Sequence, residues 1–162
     1  DMAVIAHKAV IPEGKTMHGV TEDVEDMGRV SIFAVHLGGG DMQLHITASH
    51  SNGATQDVEV SAELAKDSKG GWGLYKGVRN PLTVSFRGDE EDRAKLDMVK
   101  YGVNRDGGIF VTEQSRPLVP TDLERVADFT SAISGGFTGQ PNDKNAESPI
   151  KIGSLQDYLP KQ

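Results

Sequence analysis

Polar and apolar residues alternate with period two over much of residues 29–64. Val30, Ile32 and Ala34 interleave with Arg29, Ser31 and Phe33, and Met42, Leu44, Ile46 and Ala48 with Gln43, His45, Thr47 and Ser49. Val58, Val60 and Ala62 then interleave with Asp57, Glu59 and Ser61. Such alternation marks strands with one buried and one wet face, so the segment reads as a three-stranded antiparallel meander. A tight glycine turn at Gly38-Gly39-Gly40 pairs Leu37 with Asp41 and sets Ala34 opposite Leu44, Ile32 opposite Ile46 and Val30 opposite Ala48. A three-residue turn ending at Gly53 sets Ile46 against Val58 and Leu44 against Val60, since a two-residue Asn52-Gly53 turn would mix the faces.

Shorter patterns surround this meander. Ala3-Val4-Ile5-Ala6 with Val10-Ile11 supplies a first strand, closed by Pro12-Glu13-Gly14, and polar residues 15–28 read as a loop with at most a helical turn. Trp72 to Lys76 is a short strand between glycines, and Leu82, Val84 and Phe86 alternate in another. Leu96 to Val103 and Gly108 to Glu113 form a hairpin across Asn104-Arg105-Asp106-Gly107. One helix is expected at 121–134, with Thr121 and Glu124 as a capping box, an apolar stripe at Leu123, Val126, Ala127, Thr130 and Ile133, and a stop at Gly135-Gly136. Many short strands with regular turns predict an antiparallel β-sandwich or β-barrel, a mainly β domain over 1–136 with one C-terminal helix. Residues 137–162 read as a flexible linker and a docking tail, apolar at Ile150, Ile152, Leu155, Tyr158 and Leu159.

Composition narrows the function classes. The 17 basic residues are scattered and outnumbered by 24 acidic ones, for a formal charge of −7. That balance disfavours nucleic acid, whose binders need a basic face, and anionic membrane surfaces. No apolar run approaches the ~20 residues of a membrane helix. The absence of cysteine excludes disulfides, thiolate metal sites and a cysteine nucleophile. The start at Asp1 fits a removed signal peptide and equally a cloning boundary, and the expectation leans toward an exported protein.

Candidate chemistry is sparse, and no cofactor-binding pattern is present. All five histidines fall in the first fifty residues. His36 and His50 lie near opposite ends of the first hairpin and His45 faces the other side, which leaves His7 and His18 as the metal candidates, completed by carboxylates. In the expected register His45 lies across from Glu59, an imidazole–carboxylate pair suited to acid–base chemistry or pH sensing, though surface decoration is the commoner role. The acidic groups at residues 22–26 and 89–92 lack the ligand spacing of an EF-hand loop. Trp72 and Tyr75, set among glycines, form a candidate ligand platform; the plainer reading of Trp72 is a core anchor.

The leading expectation is a non-enzymatic protein-interaction or assembly module, with a protein partner or self-association through an exposed strand edge or through 150–162. A small-ligand or carbohydrate-binding β-domain, and a small enzyme using His45 with Glu59 or a metal, are the alternatives.

Overall fold

The computed structural model describes residues 2–25, 28–38, 42–51, 57–68, 70–87, 96–137 and 152–160. The expected turns at 38–40 and 51–53, the acidic loop 88–92 and the linker 137–149 lie wholly or partly outside these residues. The elements are α1 (Met2–Lys8), β1 (Met17–Val24), β2 (Gly28–His36), β3 (Gln43–Ser51), β4 (Asp57–Lys66), β5 (Trp72–Leu74), β6 (Leu82–Arg87), β7 (Leu96–Val103), β8 (Ile109–Gln114) and α2 (Pro120–Phe137), then a 3-10 helix, Ile152–Tyr158.

The protein is mainly β, with one antiparallel sheet and one main C-terminal helix. The strand order is β1-β2-β3-β4-β6-β7-β8, and β5 pairs with the far end of β4. Among the described residues no pairing joins β1 to β8, so the sheet stays open. β5 and β6 share one lane beside β4: Leu74 faces Leu64 and Leu82 faces Ala62. Residues 75–81 bulge out between them, pinned where Tyr75 N donates to Glu63 O (2.9 Å) and Glu63 N donates to Pro81 O (2.7 Å).

The inward face of the sheet carries the expected aliphatic groups. Val30, Ile32, Ala34, Leu44, Ile46, Ala48, Val58, Val60 and Ala62 are all buried. Yet both registers differ from expectation. Ile46 pairs with Ala34, not Ile32, and with Ala62, not Val58; Leu37 N reaches Gln43 O rather than pairing with Asp41. Both connections are longer than tight turns, and because each shift is an even number of residues every side chain keeps its face.

Three further expectations are corrected. Residues 2–8 are helical, not a strand: half-buried Met2 and buried Ile5, Ala6 and Ala9 recur at helical spacing, and that stripe packs on α2. The polar stretch 15–28 is not a loop but contains β1, in register with β2 from Met17↔Val35 to Val24↔Gly28. Its inward positions, His18, Val20, Glu22 and Val24, are only half apolar, which hides the alternation. Finally, α2 begins at Pro120, one residue before the expected cap, and runs through Gly135-Gly136 to Phe137. Val119 caps it, Pro120 occupies the first helical position, and the Asp122 carboxylate accepts from the Val119 N–H (2.8 Å), the back-reaching half of a capping box.

The two glycines do not stop α2 because Gly136 is where α1 crosses it. A Cβ there would lie 2.5 Å from the Ala6 Cβ. The helices, Leu118 and Leu155 cover the inner face; Leu155, from the expected docking tail, is fully buried in the core of its own chain.

Candidate functional site

At one end of the inner face lies a cleft of about 410 Å³. Two neighbouring cross-strand pairs build its floor. His36 at the end of β2 faces Leu44 on β3, and Lys66 at the end of β4 faces Trp72 on β5. Lys66 N donates to Met42 O (2.9 Å), which holds the start of β3 against the end of β4. The turn from β4 to β5 is shaped by Asp67, whose carboxylate accepts from Gly71 N at 2.7 Å and whose N–H donates to Gly71 O at 2.8 Å. That closure brings Trp72 back beside Lys66.

The chain between α1 and β1 forms the opposite wall. Val10, Ile11, Pro12, Glu13, Gly14 and Lys15 line the cleft, and Phe137, the last residue of α2, closes its end. Lys15 N donates to Pro12 O (3.0 Å), and Gly14 sits at φ +82°, a conformation that excludes most side chains. The wall is thus a formed turn.

Chemically the cleft is amphipathic. Trp72 is 9 % exposed, with the Lys66 ammonium 5.7 Å from its ring centroid, within cation–π range. Leu44, Ile11 and Phe137 extend the apolar surface. Lys15, Lys66, His36 and Glu13 are the ionisable residues among its lining. Such a site can sandwich a flat or apolar body and hold a negative group at its mouth.

The residues singled out from the sequence are dispersed. Trp72 lines the cleft, but Tyr75 does not share its side of the sheet: the Tyr75 hydroxyl accepts from Gln43 Nε2 (3.0 Å), and Gln43 alternates with the inward Leu44. The two rings therefore form no common platform. His45 pairs across β4 with Glu63, while Glu59 faces Ser49. Four residues along a strand is about 13 Å, so the expected His45–Glu59 contact is absent, and the partner found for His45 Nε2 is the Ser61 hydroxyl (3.2 Å). Phe33 faces Thr47. His7 lies on α1, its Nδ1 3.1 Å from the Gly136 carbonyl, whereas His18 lies on the edge strand β1 opposite Ala34. Among the described residues no three His, Asp or Glu side chains gather as a metal-ligand set.

Sequence reasoning missed His36, Lys66, Phe137 and the wall 10–15 as site residues. The one legible signal was Asp67 followed by Gly70-Gly71, turn chemistry that returns Trp72 onto Lys66. No described helix is long and apolar enough to cross a membrane. No protein-family model, no curated protein and no solved structure matches this chain, so the cleft is interpreted from its own chemistry.

Proposed function

We propose that the chain is a binding protein for a small amphipathic anion, with a flat apolar body against Trp72 and an anionic group between Lys15 and Lys66. The observation that carries this reading is the cleft itself. It brings two lysine residues to the same cleft as an almost buried tryptophan, and its volume falls within the ~300–1,000 Å³ of small-molecule sites. A pre-shaped wall at 10–15 adds to it, since preorganisation lowers the entropic cost of binding.

Fluorescence of the lone tryptophan provides the test. Titration with 2-naphthoate is expected to quench or shift Trp72 emission in a saturable way, and Lys66→Ala combined with Lys15→Ala to weaken that response by about tenfold or more. Neutral glucose and decanoate titrated alongside separate an anion-directed aromatic site from a carbohydrate or aliphatic one. A flat response to 2-naphthoate at millimolar concentration overturns the reading.

A further inference from the structure

The outer edge of β1, unpaired among the described residues, is independent of the cleft. His36 N donates to Thr16 O at 3.0 Å just before β1, and the β1–β2 register is unbroken from there to Val24↔Gly28. In an antiparallel ladder the N–H and C=O of one residue point the same way and successive residues alternate. His18, Val20, Glu22 and Val24 therefore direct their backbone groups toward β2. Met17, Gly19, Thr21 and Asp23 direct theirs outward, and among the described residues no strand pairs with that side.

An open edge is normally blunted by proline, charged side chains, a bulge or short length. β1 has eight residues, no proline and a regular register, and its two carboxylates, Glu22 and Asp23, are already met by Lys8 and Arg29 of the same chain. We infer that β1 pairs antiparallel with β1 of a second copy of this chain, about a twofold axis through Val20.

The register follows from symmetry and charge. A continuous sheet requires opposed residues to share a face, which allows Val20 to oppose its own copy or Thr21 to oppose its own copy. Centring on Val20 sets His18 against Glu22 of the second copy, twice, and Gly19 against Thr21. Centring on Thr21 sets Glu22 against Val20 and His18 against Val24, with no charge match. The first arrangement alone sets an imidazole against a carboxylate on the inner face, and hydrogen-bonding cross-strand pairs stabilise a sheet. Glu22 already receives the Lys8 ammonium of its own chain (2.5 Å), so its carboxylate would lie between that ammonium and the second copy's His18 imidazole.

Sedimentation of the full chain over a wide concentration range tests this. The unaltered chain is expected to reach a dimer. Thr21→Pro removes an outward N–H and no β1–β2 ladder bond, so it is expected to yield monomer with an unchanged circular dichroism spectrum. His18→Glu opposes two carboxylates and is expected to weaken the dimer by about tenfold, and the double exchange His18→Glu with Glu22→His to restore it. A chain monomeric at every concentration overturns the inference. So does a dimer whose dissociation is the same in Thr21→Pro and His18→Glu. Should Thr21→Pro fail to fold, the His18 and Glu22 exchange decides the matter alone.

Discussion

Gly136 of α2 and Ala6 of α1 meet with no room for a methyl group: a Cβ on Gly136 would lie 2.5 Å from the Ala6 Cβ and 2.7 Å from the Ala3 carbonyl oxygen. Glycine inside a helix costs about 1 kcal/mol relative to alanine, so an uncrowded site would gain from the exchange. Here backbone and a short, rigid side chain are in the way, and the helices must separate. Gly136→Ala is therefore expected to destabilise the fold by about 1–3 kcal/mol. Urea denaturation reads it, and a gain in stability would show that α1 and α2 do not cross at this point.

Arg116 ties the approach to α2 to its first turn. Its guanidinium meets both Asp122 oxygens, at 2.9 and 2.8 Å, and the Asp122 side chain is 2 % exposed against 23 % for Arg116. Burial opposes ionisation of Asp122 most strongly, yet the Arg116 side-chain hydrogen bonds, the Val119 N–H and the charges of Arg116 and Arg125 together hold its carboxyl below the usual carboxylate range. A folded value below the unfolded one means the stabilisation is full above the unfolded value near 4 and is lost as pH falls through the folded one. Arg116→Ala leaves the buried carboxylate with the Val119 N–H and, at 4.0 Å, the Arg125 guanidinium as its remaining partners. Its expected cost is about 2–3 kcal/mol, less than for a fully enclosed pair because Arg116 is partly solvated. Denaturation at neutral and at strongly acidic pH should show the difference between variant and parent shrinking in acid.

Tyr101 is fully buried, and its hydroxyl has no hydrogen-bond partner among the described residues. Burial first, then the Asp122 charge, raises its ionisation above the ordinary phenol value of about 10. A raised value makes the folded state hold its proton more tightly, so stability is full below pH ~10 and declines as pH rises toward the folded value. Tyr101→Phe removes an unsatisfied polar group at nearly constant volume. It is expected to be neutral or to stabilise by up to about 1 kcal/mol at pH 7, and to flatten the alkaline decline. A loss above ~2 kcal/mol would reveal a hydroxyl partner.

Leu155 inserts from the terminal 3-10 helix into the core with no exposed surface, and half-buried Leu159 packs behind it. Leu155→Ala is expected to cost about 2–4 kcal/mol, and truncation after Phe137 to lower the melting temperature. A chain ending there with unchanged melting would mean that Leu155 leaves the core in solution.

The cost of a wrong face and the cost of a wrong register differ greatly, and this explains which expectations held. Ile32, Ile46 and Val60 were placed on the buried side from alternation alone, because a one-residue slip would put each of them in water. Their partners were misplaced by two residues on one hairpin and four on the other. Even slips keep aliphatic groups inside, so composition barely distinguishes them; the connection lengths decide. The His45–Glu59 pair depended on register and failed with it. The hairpin of β7 and β8 lies where it was expected, but Asn104 N donates to Gly108 O at 2.7 Å, so its loop is one residue shorter, and the ladder shifts register between Lys100 and Tyr101.

The linear order of residues thus determined the fold class, the inward side of the central strands and the C-terminal helix. Tertiary contact decided the rest. Ala3-Val4-Ile5-Ala6 suits strand or helix locally, and its helical state accompanies its packing against Gly136. The cleft joins residues 10–15, 36, 44, 66, 72 and 137, which share no local pattern. They meet because ladder bonds align strand ends and two helices cover one side of a sheet, interactions between segments far apart in the chain.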